Sequence, residues 1–260
     1  MAIGVGISGP RGGGGGGTPV ISNPPSFADA VTLFRSDVGQ VFVDEMLDTW
    51  ENQGTDGGDA SATSSTHRII TTAHKTTKDL LTKGHQRFNA SGLPTGVVSA
   101  ATYDVIITPH YATYNYDFPS VGNSNASANI IRALLVANNI QFTIAYSGTS
   151  GYINYSSTAI VGSSSALNGK HLKLTLVYDG SGATNADKVK LYSDGVLVTQ
   201  TSVSGTIPTT FANAVGAFSI CSNDGSRGSN FLIGYVGYWD RALSGDEISA
   251  NNDWKKEIWS

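Results

Sequence analysis

Apolar and polar positions alternate in short runs along most of this chain, and Gly, Pro, Asn and Ser separate the runs. A period of two is the signature of strands with one face buried. Val31 to Asp37 predicts an early strand that ends at Gly39, and Val41 to Val43 a second. Further strands are predicted at Tyr103 to Thr108, Ile130 to Ala137, Ile140 to Tyr146, Gly151 to Tyr155, Leu172 to Tyr178, Ala217 to Cys221 and Phe231 to Trp239. Val189 to Ser193 and Val196 to Thr199 flank Asp194-Gly195, a dipeptide suited to the type I′ hairpin turn. Residues 61–100 are mixed: Thr66 to Thr72 reads as strand, Thr76 to Gly84 as helix-like or irregular. Near the end, Ser244 precedes Asp246, Glu247 and Ile248, a helix-start pattern leading into a short helical tail that ends at Trp259. Short strands at this regular spacing predict an all-β fold, an antiparallel β-sandwich or jelly roll, with Trp50 plugging its edge.

The first 26 residues break this pattern. Ser8-Gly9-Pro10-Arg11 leads into six glycines, Gly12 to Gly17, followed by Thr18-Pro19 and Pro24-Pro25. Such a segment cannot build a core, so residues 1–26 are expected to be a flexible Gly/Pro-rich leader, or an arm that anchors on a partner subunit, and residues 27–260 the sandwich. Hydrophobic residues make up 40% of the chain and charged residues 14%, enough apolar material for a sizeable core. The formal charge is −4 with no Lys/Arg run, which argues against nucleic acid as a partner. With no apolar stretch long enough to cross a bilayer and no basic-then-apolar start, neither membrane insertion nor export is expected. Cys221 is alone and is expected to be a small buried strand residue.

Three segments carry a family resemblance by their order. Leu172 to Gly180 is similar to a central strand and its turn, Val189 to Thr199 to a ribbon, and Phe231 to Ser244, with Glu247 and Ile248, to a closing strand with an Asp240-Arg241-Ala242-Leu243-Ser244 exit. In this the chain resembles the laminin-G-like domains of the concanavalin A-like lectin and glucanase superfamily. The resemblance is clear from Leu172 onward and looser from residue 30, where Arg35-Ser36-Asp37, Trp50, Gly54 to Ala60 and Arg87-Phe88-Asn89 follow versions seen in tailed-phage virion proteins. Together with the glycine-rich start, it implies a phage or phage-like structural protein, a capsid decoration or tail-associated subunit. Such a protein would sit on the virion surface in many copies or as a homo-oligomer, attached to other virion subunits through its arm. The alternative on the same scaffold is an adhesin or receptor-binding module for cell-surface glycans.

No enzyme is expected. Glycan-cleaving members of the superfamily set carboxylates at alternate positions of one strand, whereas Glu45 and Asp48 in the acidic stretch Asp44 to Glu51 are three apart. His67, His74, His85, His110 and His171 are scattered singly, and the glycine run lacks the Lys-Ser/Thr of a phosphate loop. Calcium is the one cofactor the resemblance implies. Asp179, Asn185 and Asp187 in one loop, and Asn223 and Asp224 in another, offer hard oxygen ligands, although the same residues suit ordinary Asx turns. For glycans, Tyr111, Tyr114 and Tyr116 form one candidate stacking platform and Tyr152 and Tyr155 another, with sheet-edge packing or a subunit contact as the alternative.

Overall fold

The computed structural model describes residues 23–36, 38–43, 46–55, 58–62, 69–70, 80–81, 88–90, 96–109, 116–117, 120–121, 130–136, 139–146, 149–161, 167, 169–213, 218–219 and 231–258. The principal strands are β1 (Thr32–Arg35), β2 (Gln40–Val43), β3 (Met46–Trp50), β4 (Ala100–Pro109), β5 (Ile130–Val136), β6 (Asn139–Tyr146), β7 (Thr149–Ser156), β8 (Leu172–Asp179), β9 (Val189–Ser193), β10 (Val196–Val198), β11 (Ser202–Gly205) and β12 (Phe231–Trp239). The helices are α1 (Ser157–Val161), α2 (Asn185–Lys188) and α3 (Gly245–Ile258).

The strands pair antiparallel into two large sheets. The first runs β1-β12-β4-β8-β9-β10. The second begins β11-β7-β6-β5, continues through Ser120–Val121, Phe218–Ser219, Phe88–Ala90 and Ala60–Ala62, and ends at β3 and β2. Between them lies the main core, because alternate residues of each strand face inward. Tyr103, Val105 and Ile107 of β4, Leu172, Leu174, Leu176 and Tyr178 of β8, and Val236 and Tyr238 of β12 meet Ile140, Phe142 and Ile144 of β6 and Ile153 and Tyr155 of β7. Trp50 is fully buried against Phe34, and its Nε1 donates to the Arg35 carbonyl at 2.8 Å.

The opposite face of the first sheet has its own smaller core. Leu33, Ile106, Val177, Tyr235 and Trp239 are covered there by Ile248 and Trp254 of α3 and by Phe27 from a 3-10 turn over Pro25–Asp29. Tyr238 and Trp239 therefore serve different layers, as adjacent strand residues must. Pro24 and Ser26 from the end of the glycine-rich segment are buried, and Ser26 ties into this second layer: its hydroxyl donates to Asn251 at 2.6 Å and its carbonyl accepts Trp239 Nε1 at 2.7 Å. Residues 1–22 lie outside the described residues, as does Cys221.

Most predicted strands are present, with boundaries shifted by a few residues. The hairpin turns at Asp194 (φ 50°) and Gly195 (φ 79°), both left-handed as a type I′ turn requires. Of the residues read as helix-like or irregular, Leu80–Leu81 is extended and pairs with β12. Ile69–Ile70 pairs with β3, and the rest of residues 63–87 is outside the described residues. Ser244 starts α3 with a capping box: its hydroxyl accepts the Glu247 N–H, and the Glu247 carboxylate accepts the Ser244 N–H.

Candidate functional site

The solvent-facing side of the second sheet carries the most organised polar surface among the described residues. In β6 and β7, Ile140, Phe142, Ile144, Ile153 and Tyr155 point inward, so Gln141, Thr143, Tyr152 and Asn154 point the other way. The register aligns them in two rows. Gln141 lies opposite Asn154, which lies opposite Ser202 of edge strand β11; Thr143 lies opposite Tyr152, which lies opposite Ser204. The first row is joined by hydrogen bonds, Gln141 Nε2 to Asn154 Oδ1 at 3.0 Å and Asn154 Nδ2 to Ser202 Oγ at 2.9 Å. These bonds fix the amide orientations, leaving the outer lone pairs and protons directed to solvent. Beside the row stands Tyr152, 37% exposed. Rows two residues apart on a strand are separated by about 7 Å, a distance that a ring lying on Tyr152 spans with its hydroxyl groups. The described side chains of both rows are uncharged. The register continues the Tyr152 row into β5 at Arg132, opposite Thr143.

Tyr155 takes no part in this surface. Three positions from Tyr152, it falls on the other face of β7, is 0% exposed and donates its hydroxyl to the Val189 carbonyl at 3.3 Å. Burial raises its pKa far above the ordinary tyrosine value. The platform expected from Tyr152 and Tyr155 is thus reduced to Tyr152. Tyr111 and Tyr114 lie outside the described residues. Tyr116 begins a two-residue strand on β5, in register with Leu135, itself opposite Ile140. It belongs to the same sheet as Tyr152 but to a different row.

Asp179, Asn185 and Asp187 are each engaged locally. The Asp179 carboxylate accepts the Ser181 N–H at 3.0 Å and its hydroxyl at 2.6 Å, and these bonds lower its pKa. Asp187 accepts the Thr184 N–H at 3.0 Å and hydroxyl at 2.7 Å, closing the capping box of α2, and its pKa is lowered for the same reason. Asn185 clasps the loop after β11, donating to the Gly205 carbonyl at 2.8 Å and accepting the Ile207 N–H at 2.9 Å. Asn223 and Asp224 lie outside the described residues. Among the described residues no three His, Cys, Asp or Glu side chains gather as a metal site. His171 Nδ1 pairs with the Thr108 hydroxyl at 3.0 Å, and burial followed by the Lys173 charge lowers its pKa. In the acidic stretch, Asp48 accepts the Thr49 hydroxyl and Glu51 is exposed, while Asp44 and Glu45 are outside the described residues.

One buried ion pair escaped sequence reasoning. Asp104 on β4 and Lys255 on α3 are 0% and 1% exposed, with Lys255 Nζ 2.6 Å from Asp104 Oδ1. The readable signals were an acid inside the apolar run Tyr103 to Thr108 and a polar stripe of Asn251, Asn252 and Lys255 on the buried side of the terminal helix.

Two sheets enclosing one core, closed by the β12 exit, frame the comparison with known proteins. A family model described as the concanavalin A-like lectin/glucanases superfamily, of the laminin-G type, matches residues 82–249. The chain belongs to that superfamily. No curated protein sequence matches it. Among solved structures, the ligand binding domain of botulinum neurotoxin serotype D in complex with N-acetylneuraminic acid superposes with a TM-score of 0.55 at 10% identity, over 87% of this chain and 51% of that one. A structure of botulinum neurotoxin type C, whose cell entry depends on interaction with two ganglioside molecules, superposes at 0.51 and 13% identity over 86% and 51%. Trypanosoma rangeli sialidase superposes at 0.53 and 11% identity, over 90% of this chain and 34% of the sialidase. The chain therefore spans about a third of the sialidase and about half of the toxin domains, and at these identities the likeness is one of fold.

Proposed function

We propose that this superfamily member is a non-catalytic carbohydrate-binding module whose binding surface is the face of the second sheet around Tyr152. The observation that carries this reading is the meeting of an exposed tyrosine ring with two amides held in fixed orientation by the Gln141–Asn154–Ser202 row. Sugar recognition asks for that combination: an aromatic face for the apolar side of the ring, and preorganised donors and acceptors for its hydroxyls. The sugar-bound and ganglioside-dependent toxin domains, which share the fold, support the same use of it. The odd spacing of Glu45 and Asp48 supports the absence of catalysis. Screening the protein on a glycan array should yield defined hits, and Tyr152→Ala should weaken them about tenfold by removing a stacking contact of about 1.5 kcal/mol. Leu197→Ser, on the other sheet, should leave them unchanged. An array without hits, or equal binding by Tyr152→Ala, defeats the reading.

The setting proposed for this module is the surface of a phage or phage-like particle, with residues 1–26 as the attachment arm. The polyglycine run and the resemblance of the amino-terminal half to virion proteins support it. A variant lacking residues 1–22 keeps the packed Pro24 and Ser26, and should fold yet fail to join particles; unchanged attachment would remove the arm from the proposal.

A further inference from the structure

Lys255 and Asp104 stand apart from every other ion pair in the described structure because both are sealed from water. The Lys255 ammonium lies 2.6 Å from Asp104 Oδ1 and over the Tyr235 ring, 6.0 Å from its centroid. Ile106, Val177 and Trp254 belong to the same apolar layer. Oδ1 also accepts the Thr175 hydroxyl at 2.7 Å, whereas Asp104 Oδ2 is buried with no hydrogen-bond partner. A charged pair gains little in such surroundings, since the desolvation of both ions offsets their attraction. Amide formation needs a free amine and a carboxylic acid, and transfer of one proton from Nζ to the unpartnered Oδ2 within the pair supplies both.

We infer that Lys255 and Asp104 condense to an intramolecular amide tying α3 to the central strand β4. The neutral Nζ attacks Cγ, and the carbonyl electrons move onto Oδ1, where the Thr175 hydroxyl is already placed to donate to the developing oxyanion. Collapse of the tetrahedral intermediate expels Oδ2 with its proton and one proton from nitrogen, as water. One N–C bond forms, one C–O bond breaks, and no oxidant or cofactor takes part. The fold supplies the drive by holding the two groups in contact, which replaces a bimolecular encounter by a high effective concentration. A dry layer also disfavours the reverse hydrolysis. The product would fasten the last helix to a strand 151 residues earlier in the chain.

The test is the intact mass of the purified full chain under denaturing conditions. The wild-type protein should be lighter than its sequence mass by one water, and proteolysis should yield a branched peptide joining the segments that contain Asp104 and Lys255. Lys255→Arg, which retains the charge but lacks the amine, should have its full sequence mass. A wild-type chain at full mass overturns the inference, whether or not any variant folds. So does a water loss that persists in Lys255→Arg, because it would mark ring closure elsewhere, as at Asp194-Gly195.

Discussion

Replacing Thr102 by Val tests whether the exit from β12 is held to the sandwich by one hydroxyl. Thr102 is 0% exposed on the outer face of β4, in register with Val177 and Trp239. Its Oγ1 accepts the Leu243 N–H at 2.9 Å and donates to the Arg241 carbonyl at 2.9 Å, so a single oxygen serves both sides of the turn that leads to α3. Valine keeps the shape and removes both bonds. The Leu243 N–H, in a residue only 5% exposed, then loses its partner and costs about 1–3 kcal/mol, while the less buried Arg241 carbonyl finds water and costs less, for a total of about 2–4 kcal/mol. Thr102→Ser retains the hydroxyl and loses one buried methyl, about 1 kcal/mol. Urea unfolding should therefore place the Val variant below the Ser variant in midpoint at unchanged slope, although valine is the more apolar residue. A Val variant as stable as the Ser variant refutes the reasoning, because hydrophobic burial alone would then account for the site.

Glu247 gives a pH prediction. Its bonds to Arg241, at 2.6 and 3.0 Å, are the chief cause of a pKa held down at about 2 against the ordinary 4.5, with Ser244 assisting. A depressed carboxylate stabilises the native state fully above pH 4.5 and loses that contribution as pH falls from there toward 2; with Arg241 a third exposed, the contribution is about 1 kcal/mol, and Glu247→Gln should flatten this part of the stability profile. Gly180→Ala should cost at least about 3 kcal/mol, since its Cβ would lie 1.8 Å from the Thr209 carbonyl oxygen, whereas Gly245→Ala, with open space around it in α3, should be neutral or gain up to about 1 kcal/mol in thermal unfolding. Calcium added to chelator-treated protein should give no heat and no shift in melting temperature, because Ser181 and Thr184 already satisfy Asp179 and Asp187; binding would require both carboxylates to exchange those donors for the ion.

The parts of the fold legible in the sequence are those where a local rule leaves one solution. Asp194-Gly195 permits two successive positive φ values, and Ser244 with Glu247 closes a capping box, so the hairpin and the helix start could be placed to the residue. Parity along a strand also separates Tyr152 from Tyr155, since positions three apart cannot share a face, and the platform expected from the two together overlooked that rule. Pairings across strands were not legible. Gln141, Asn154 and Ser202 become one row only through the registers of β6, β7 and β11, and each residue alone reads as a solvated polar position. The Asp104–Lys255 contact spans 151 residues and depends on where α3 lands.

Where α3 lands also determines which side of the sandwich is available for binding. The first sheet's outer face carries Tyr235 and Trp239, large aromatic residues of the type a sugar site uses, yet both are 0% exposed because α3 and Phe27 cover them. Thr102, Arg241 and the Ser244 capping box direct the chain into that cover: Arg241 reaches back to Asp29 at 2.7 Å and forward to Glu247, joining the 3-10 turn to the helix. The aromatic content of this face is thereby spent on closing the fold. The second sheet has no such helix over β6, β7 and β11 among the described residues, and there the exposed ring is Tyr152, beside a row of oriented amides. The proposed binding surface lies on the second sheet because of this asymmetry, and the same asymmetry explains why Leu197→Ser on the first sheet is the proper control.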